Sequence, residues 1–163
     1  MNYFEFKRDF DKKRGKLKLP TDCHEQMPPS VEVASQYGWT FEWILTFDDH
    51  KYLRIREHHG KIAGLLDAVR KSFAFHYGPI TGKDFDGNLL WAPTDPVEIR
   101  IDTSPHPAHM HFGAPEPHIQ QESVLNLKLE TISMFIFLKA ILKHRQSGVP
   151  INEALRFQIK VTP

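Results

Sequence analysis

Histidines concentrated in one stretch of the chain are the residues best suited to chemistry. The sequence has ten histidines in 163 residues. Five of them lie between residues 76 and 118, and these are His76, His106, His109, His111 and His118. The unperturbed pKa of an imidazole is the closest to neutrality of any side chain, so histidine can exchange protons or ligate a metal at physiological pH. The clustering predicts a functional site in this stretch.

Cleavage of RNA without a metal ion is one chemistry that such a cluster could perform. A base removes the 2′-hydroxyl proton, an acid protonates the leaving oxygen, and cations stabilise the charge that develops on the phosphate. Arginine suits the last role because its planar guanidinium binds phosphate with two hydrogen bonds. The candidate residues are His76, His106, His109 and His111 for proton transfer, Asp102 to orient an imidazole, and Arg54, Arg56 and Arg100 for phosphate.

A metal site is the second chemistry that this stretch could support. His109 and His111 are two residues apart, so their side chains project to one side of an extended segment. Glu116 could add a carboxylate oxygen, and a donor set of this kind suits a divalent transition metal. The spacing, His-x-His followed by four residues and Glu, resembles the first metal motif of cupin barrels, although no second motif follows it.

A third interpretation assigns the histidines no chemistry. Each imidazole would then lie on the surface or hold a structural hydrogen bond. The chain would be a binding module without catalysis or cofactor, and an exposed face of a helix would meet a partner protein.

Size and composition are those of a single intracellular domain. A chain of 163 residues can bury most of its apolar surface. Its one cysteine, Cys23, cannot pair within the chain, which fits a reducing compartment. The first twenty residues lack the features of a secretory signal, and the apolar stretch 132–142 is shorter than the roughly 20 residues of a membrane span. We therefore expect a cytoplasmic protein without a membrane partner.

The amino-terminal region differs in charge from the remainder of the chain. Residues 1–20 hold seven Lys and Arg against three acidic residues, and turn formers without any period fill residues 20–29. This composition predicts a basic arm and linker over residues 1–30, followed by a single domain over 31–163. The arm could bind phosphate or remain a solvated terminus.

Period-two alternation predicts the strands that must position the candidate residues. Large apolar residues alternate with others over 39–47, Asp48-Asp49-His50 forms a turn, and residues 51–58 alternate again. The two runs predict a hairpin, and residues 73–77 predict a further strand. Two more strand candidates lie in 87–93 and 97–101, whereas the prolines of 103–119 predict a loop.

Helical spacing and a final alternation complete the predicted fold. Residues 62–69 predict a short amphipathic helix, and residues 129–147 predict a long one that ends at a left-handed Gly148. The long helix is apolar around most of its circumference, so either a second layer or a homodimer partner must cover it. Residues 155–161 alternate and predict a carboxy-terminal strand. The sum is an α+β fold: a mostly antiparallel β-sheet of five to seven strands with a long C-terminal helix packed on it.

Four quoted segments give the chain a resemblance to a known family. The hairpin WTFEWILTFDDHKYLRIREHH, followed by FAFHYG and then by GNLLW and IRIDTSPHPAHMHFG, resembles the TumE-like toxin components of bacterial toxin–antitoxin modules. The resemblance covers residues 39–113. An added spacer over 61–71, an insertion after Trp91 and the carboxy-terminal region make this chain larger than expected of that family. The matching positions are Arg54, Arg56, His76, Tyr77, Asp102, His106, His109 and His111.

The resemblance implies a small growth-inhibiting protein that acts on RNA. A partner antitoxin encoded beside it would hold it inactive. Under this hypothesis, His76 and His109 exchange protons in a metal-independent ribonuclease and Asp102 orients one of them. Arg54 and Arg56 would hold phosphate, and the resemblance also makes Tyr77 a candidate for RNA binding.

Overall fold

A seven-stranded antiparallel sheet and three helices make up the part of the chain that the structure describes. The structure is a computed structural model, and it describes residues 1–26, 29–61, 67–83, 97–103, 108–112 and 132–161. The helices are α1 (Tyr3–Arg14), α2 (Met134–Ser147) and α3 (Ile151–Val161). The strands are β1 (Cys23–Glu25), β2 (Ser30–Ser35), β3 (Gly38–Phe47), β4 (Lys51–Lys61), β5 (Ala68–Pro79), β6 (Ile99–Asp102) and β7 (His109–Phe112). The α+β class and the antiparallel sheet predicted from the sequence are confirmed.

The sheet pairs its strands largely in chain order. Strands β3 to β7 are consecutive antiparallel neighbours, and β1 and β2 both pair with the remaining edge of β3. The β3–β4 hairpin is the one predicted, with Phe47 opposite Lys51 and a turn in which His50 adopts a φ of 59°. This left-handed third residue is typical of three-residue hairpin loops.

One face of the sheet carries the hydrophobic core. Every second residue of β3 is buried, and these residues are Trp39, Phe41, Trp43, Leu45 and Phe47. Register continues this apolar face across the sheet, through Leu53 and Ile55 of β4 to Tyr77 and Phe75 of β5. Burial of aromatic and β-branched residues on a single face is the main stabilising contribution to such a sheet.

Helix α1 packs on the apolar face and belongs to the folded unit. Asn2 caps it through a reciprocal capping box with Glu5. Phe6 lies 5.3 Å from Phe41 and Phe10 lies 5.1 Å from Trp43, between ring centroids. Residues 1–26, assigned from composition to a basic arm and linker, thus contribute a helix, an edge strand and the core side chains of Phe6, Phe10 and Cys23.

Helix α2 is buried on two sides within the chain itself. It begins after the N-cap Ser133 and ends at Gly148, whose φ of 67° is the predicted left-handed cap. Phe137 lies 5.5 Å from Phe75 of the sheet, between ring centroids. On another side α2 contacts α3, where Ala154 and Leu155 are buried. The described helix has 14 residues, and positions 129–131 of the predicted helix lie outside the described residues.

The predicted strand over residues 155–161 is wrong, because this segment belongs to helix α3. Ile151, Ala154 and Leu155 are buried at the i, i+3, i+4 spacing of one helix face, whereas Phe157 is 47% exposed. The sequence contains a period of two and a period of 3.6 over the same residues. Packing against α2 favours the helical period.

Two other predicted elements differ from the structure. Val69, expected at the end of a helix, lies in strand β5, while positions 62–66 of that helix are outside the described residues. Strand β7 lies within the predicted loop 103–119. A strand of four residues fits there because the prolines of the segment flank His109–Phe112 without interrupting it. The strand candidate 87–93 also lies outside the described residues.

Membrane-spanning helices are absent from the described part of the chain, since none of its helices has the necessary length and apolar character.

Arg145 of α2 links this helix to the turn between β3 and β4 and to the residue before β1. Its side chain is 13% exposed. The guanidinium pairs with Asp22 at 2.7 Å and with Asp49 at 2.9 Å, and it donates to Tyr77 Oη at 3.0 Å. Replacing Arg145 with alanine should lower the free energy of unfolding by about 2 kcal/mol, because charge-assisted hydrogen bonds are lost. Urea denaturation would measure this change. The Lys139→Ala variant, which alters an exposed residue of the same helix, should unfold like the wild type, and an equal loss in both variants would contradict the assigned role.

Candidate functional site

The second face of the sheet, which we call the polar face, collects most of the predicted site residues. Side chains of a strand alternate between faces, so residues two apart along a strand share a face. The residues that pair across neighbouring strands also share a face, so the register determines which side chains lie together. On strands β4 to β7 the polar face carries Tyr52, Arg54, Arg56, His58, Ala74, His76, Arg100, Asp102, His109 and His111.

Two adjacent rows of directly paired residues cross the polar face. The first row runs through Arg54, His76, Arg100 and His111, one from each of strands β4 to β7. The second row runs through Arg56, Ala74, Asp102 and His109. Neighbouring strands are about 4.8 Å apart, so consecutive members of a row are within side-chain contact.

A compact cluster of Arg100, Asp102, His109 and His111 lies on β6 and β7. His109 Nε2 lies 3.1 Å from Asp102 Oδ1, and Arg100 Nε lies 2.6 Å from Asp102 Oδ2. Arg100 Nη2 donates to His111 Nε2 at 2.9 Å, and the rings of His109 and His111 are 4.8 Å apart between centroids. Asp102, His109 and His111 are each no more than 6% exposed. Each polar group therefore has a charged or polar neighbour in a desolvated environment, where electrostatic interactions are strong.

His76 occupies the centre of the first row and is held in its neutral form. Its Nε2 shares a hydrogen bond of 3.1 Å with Tyr52 Oη. Burial, reinforced by the positive charges of Arg100 and Arg54, lowers the pKa of His76 to about 3. A histidine with this pKa cannot supply a proton near neutral pH, and it accepts one poorly. The burial of His76 and the positive charges around it therefore do not favour this residue as the partner of His109 in proton exchange.

The three arginines of the polar face are in different electrostatic states. Arg54 is half-buried and binds Glu42 through Nε at 2.7 Å and Nη2 at 2.6 Å. The positive charge of Arg100 is similarly balanced by Asp102. Arg56 is exposed, and within the described part of the chain its side chain forms neither an ion pair nor a hydrogen bond. Arg56 is consequently the cation on this face that a ligand anion could reach with the least competition.

Three donors on β6 and β7 have a spacing that could hold a metal ion. Donor atoms of Asp102, His109 and His111 all lie within 4.8 Å of one another. Two imidazoles and a carboxylate form a donor set used by zinc and by other divalent transition metals. The sequence predicted the two histidines but named Glu116 as the carboxylate, and Glu116 lies outside the described residues.

The structure brings most of the predicted site residues together. Seven of them share the polar face, and these are Arg54, Arg56, His76, Arg100, Asp102, His109 and His111. Tyr77 does not join them, because it is buried on the apolar face, where its hydroxyl accepts from Arg145. His106 lies outside the described residues.

Sequence reasoning did not identify three further residues of the polar face. Tyr52 binds His76, Glu42 neutralises Arg54, and Ala74 separates Arg56 from Asp102. The alternation in β3, β4 and β5 predicts which face of its strand each of the three occupies, so the signal was present in the period of two. Their roles depend on cross-strand register, which the alternation does not specify.

A second group of buried polar residues lies on the apolar face and forms its own closed network. Glu57 binds His59 at 2.9 Å and Arg70 at 3.0 Å, and Arg70 also donates to the carbonyl oxygen of Ile132. The His59 ring stacks on Trp39 with 4.8 Å between centroids. These mutual contacts satisfy the charges that would otherwise be costly to bury, which is a structural role.

Comparison with known proteins identifies no relative of this chain. No protein-family model, no curated protein and no solved structure matches it. The resemblance to TumE-like toxin components therefore stays a prediction from the residues.

Proposed function

We propose that the protein is an RNA-cleaving toxin component of a toxin–antitoxin module, and that the polar face is its metal-independent active site. The observation that carries the proposal is the contact of 3.1 Å between the Asp102 carboxylate and the His109 imidazole, with a second imidazole and a guanidinium beside them. A carboxylate that orients an imidazole and stabilises its protonated form is a recurrent device of general-base catalysis.

The geometry favours His109 as the base. With Nε2 placed 3.1 Å from Asp102 Oδ1, the Nδ1 atom of His109 would accept the 2′-hydroxyl proton of RNA. The 2′-oxygen would then attack phosphorus, and the bond from phosphorus to the 5′-oxygen would break. The 5′-oxygen would leave with a proton from water, and the imidazolium would return its proton to solvent. The products are a 2′,3′-cyclic phosphate and a 5′-hydroxyl.

Arg100 and His111 would support the transition state. Arg100 is positioned by two contacts, one to Asp102 and one to His111. A guanidinium fixed in this way can stabilise the negative charge that develops on the phosphate oxygens. We assign His111 a positioning role, because its Nε2 accepts from Arg100 and is committed to holding that side chain.

A metal site at Asp102, His109 and His111 is the second candidate, supported by the spacing of their donor atoms. The fit is incomplete in one respect. The Arg100 guanidinium lies 2.6 Å from Asp102 and 2.9 Å from His111, so a divalent cation would bind beside an existing positive charge and would require Nδ1 of His111. This repulsion favours the metal-free mechanism. Stoichiometric zinc or another transition metal in untagged protein, lost in a His109→Ala/His111→Ala double variant, would instead support the metal site.

The proposed role also assigns a compartment and partners. The single cysteine, Cys23, is buried and unpaired, which suits the cytoplasm. Burial together with the nearby Asp22 charge raises the pKa of Cys23 to about 11, so the thiol is inert at neutral pH. An antitoxin protein is the expected partner. Most of the large apolar residues of α2 are already buried within the chain, and size-exclusion chromatography would test for a homodimer through this helix.

Cleavage of a defined RNA in the presence of a chelator tests the proposal directly. Untagged protein with excess EDTA should cut a single-stranded oligoribonucleotide and leave a 2′,3′-cyclic phosphate, whereas a matched 2′-deoxy oligonucleotide should remain intact. The rate should change less than about twofold on removing EDTA, because no step uses a metal ion. Loss of activity with EDTA and its recovery with added zinc would support the metal candidate. Absence of any cleavage would contradict the enzymatic proposal.

A further inference from the structure

We infer that Arg56 and Ala74 form the subsite through which one unpaired strand of RNA reaches His109. This inference rests on the proposed function and adds to it a substrate class and a direction of approach. Both residues belong to the second row of the polar face, which continues through Asp102 to His109. The row therefore leads from the exposed cation Arg56, through Ala74 and Asp102, to the proposed base His109.

Exposure changes steadily along this row. Arg56 is exposed, Ala74 is half-buried, and Asp102 and His109 are both buried. A ligand that meets the row at Arg56 thus approaches the reactive residues along a gradient from solvent into the protein. Beyond Arg56 on the same strand, His58 is also exposed and shares a hydrogen bond of 3.2 Å with Thr40. The open end of the polar face is accordingly on β4.

The charge balance selects Arg56 as the anchor for a phosphate group. Although Glu42 is the direct Cα partner of Arg56, its carboxylate binds Arg54 instead. Arg100 is balanced by Asp102. Arg56 therefore keeps its full charge in an exposed position, where it can form bidentate hydrogen bonds to a phosphate.

The side chain of Ala74 leaves space between the anchor and the buried dyad. Every other position of the two rows carries a long or a planar side chain, so the small side chain of alanine is expected to leave a depression one strand wide between Arg56 and Asp102. A ribose and its phosphate could lie in this depression with the 2′-hydroxyl toward His109. A larger residue at position 74 would close it while still pointing away from the hydrophobic core.

Burial of the reactive residues favours single-stranded over double-stranded RNA. His109 is 6% exposed, so a 2′-hydroxyl must leave a regular backbone path to come within hydrogen-bond reach of the ring. A stacked and paired duplex resists that distortion, whereas a flexible single strand does not. The subsite should therefore discriminate by strand flexibility before any chemistry occurs.

Binding of a fluorescein-labelled oligoribonucleotide to full-length variants tests this subsite separately from cleavage. Arg56→Ala should weaken binding of the single strand about tenfold, and it should reduce the slope of log affinity against log salt by about 0.7, the value for one phosphate contact on a single strand. Ala74→Leu should weaken binding to a similar degree. Annealing the RNA to its complement should lower its affinity at least about tenfold.

Arg8→Ala is the matched control for charge. Arg8 is also exposed but lies on α1, which packs on the opposite face of the sheet. Equal effects of Arg56→Ala and Arg8→Ala would overturn the assigned anchor, and tight binding of RNA by Ala74→Leu would overturn the depression. Thermal unfolding of each variant separates these effects from loss of the fold. If the wild type binds RNA through Arg56 but does not cleave it, the subsite stands and the proposed enzymatic function fails.

Discussion

Replacing His109 with alanine should lower the rate of RNA cleavage by about 10²–10⁴-fold, the usual contribution of a positioned general base. The expectation follows from the Asp102–His109 contact of 3.1 Å in a desolvated site. The Asp102→Asn variant should also be slowed strongly, because an amide orients the ring without stabilising its positive charge. Single-turnover cleavage of an end-labelled oligoribonucleotide measures both effects.

His58→Ala provides a control of the same residue type on the same face. His58 is exposed and lies outside the cluster on β6 and β7, so its removal should change the rate less than about twofold. Thermal unfolding should show that His109→Ala remains folded, and His109→Gln offers a closer match in shape if it does not. Wild-type activity in a folded His109 variant would eliminate His109 as the base. Growth arrest on induced expression, relieved by the His109→Ala/His111→Ala double variant, would extend the result to cells.

His76 should make the protein unstable to mild acid. Its pKa is about 3 in the folded protein because burial and the nearby guanidinium groups oppose protonation, compared with 6.5 for an ordinary histidine. The unfolded chain therefore binds this proton more readily, so the stability conferred by neutral His76 is present above pH 6.5 and is lost as the pH falls toward 3. The loss approaches about 1.4 kcal/mol for each pH unit in this window and amounts to about 5 kcal/mol below pH 3.

Urea denaturation between pH 7 and pH 4 measures this linkage. A His76→Gln variant keeps a polar partner for Tyr52 but cannot titrate, so its free energy of unfolding should fall less steeply with acid than that of the wild type. The exposed His58→Gln variant should follow the wild-type curve. Parallel curves for the wild type and His76→Gln would show that His76 is readily protonated in the folded protein. The imidazole at position 76 would then again be a candidate for proton exchange.

Local periodicity accounts for the parts of the fold that the sequence predicted. The alternation in β3, β4 and β5 arises from a property of the extended backbone, which places successive side chains on opposite faces wherever the chain is a strand. It located the β3–β4 hairpin, and it placed Arg54 and Arg56 on the other face of the sheet from Leu53 and Ile55. Gly148 was likewise identifiable as a cap because a left-handed residue at a helix end favours glycine.

Local periodicity could not predict the conformation of two short segments, α3 and β7. The residues of α3 fit both a strand and a helix, and contact with α2 determined the outcome. The four residues of β7 are too few for alternation to reveal a strand between the flanking prolines. Pairing with β6 provides the backbone hydrogen bonds that make this segment a strand. Tertiary pairing therefore decided the conformation of the segment that contains His109 and His111.

The sequence by itself determined which residues could do chemistry and, for the hairpin, which face they share, because both depend on residue type and on strand period. Only the tertiary structure decided that Asp102 meets His109, that Arg100 binds Asp102 and His111, and that Tyr77 faces the core. It also determined the neutral state of His76, and it left Arg56 without an ion pair among the residues that the structure describes. These properties depend on strand register and desolvation, and both arise from contacts between segments distant in sequence.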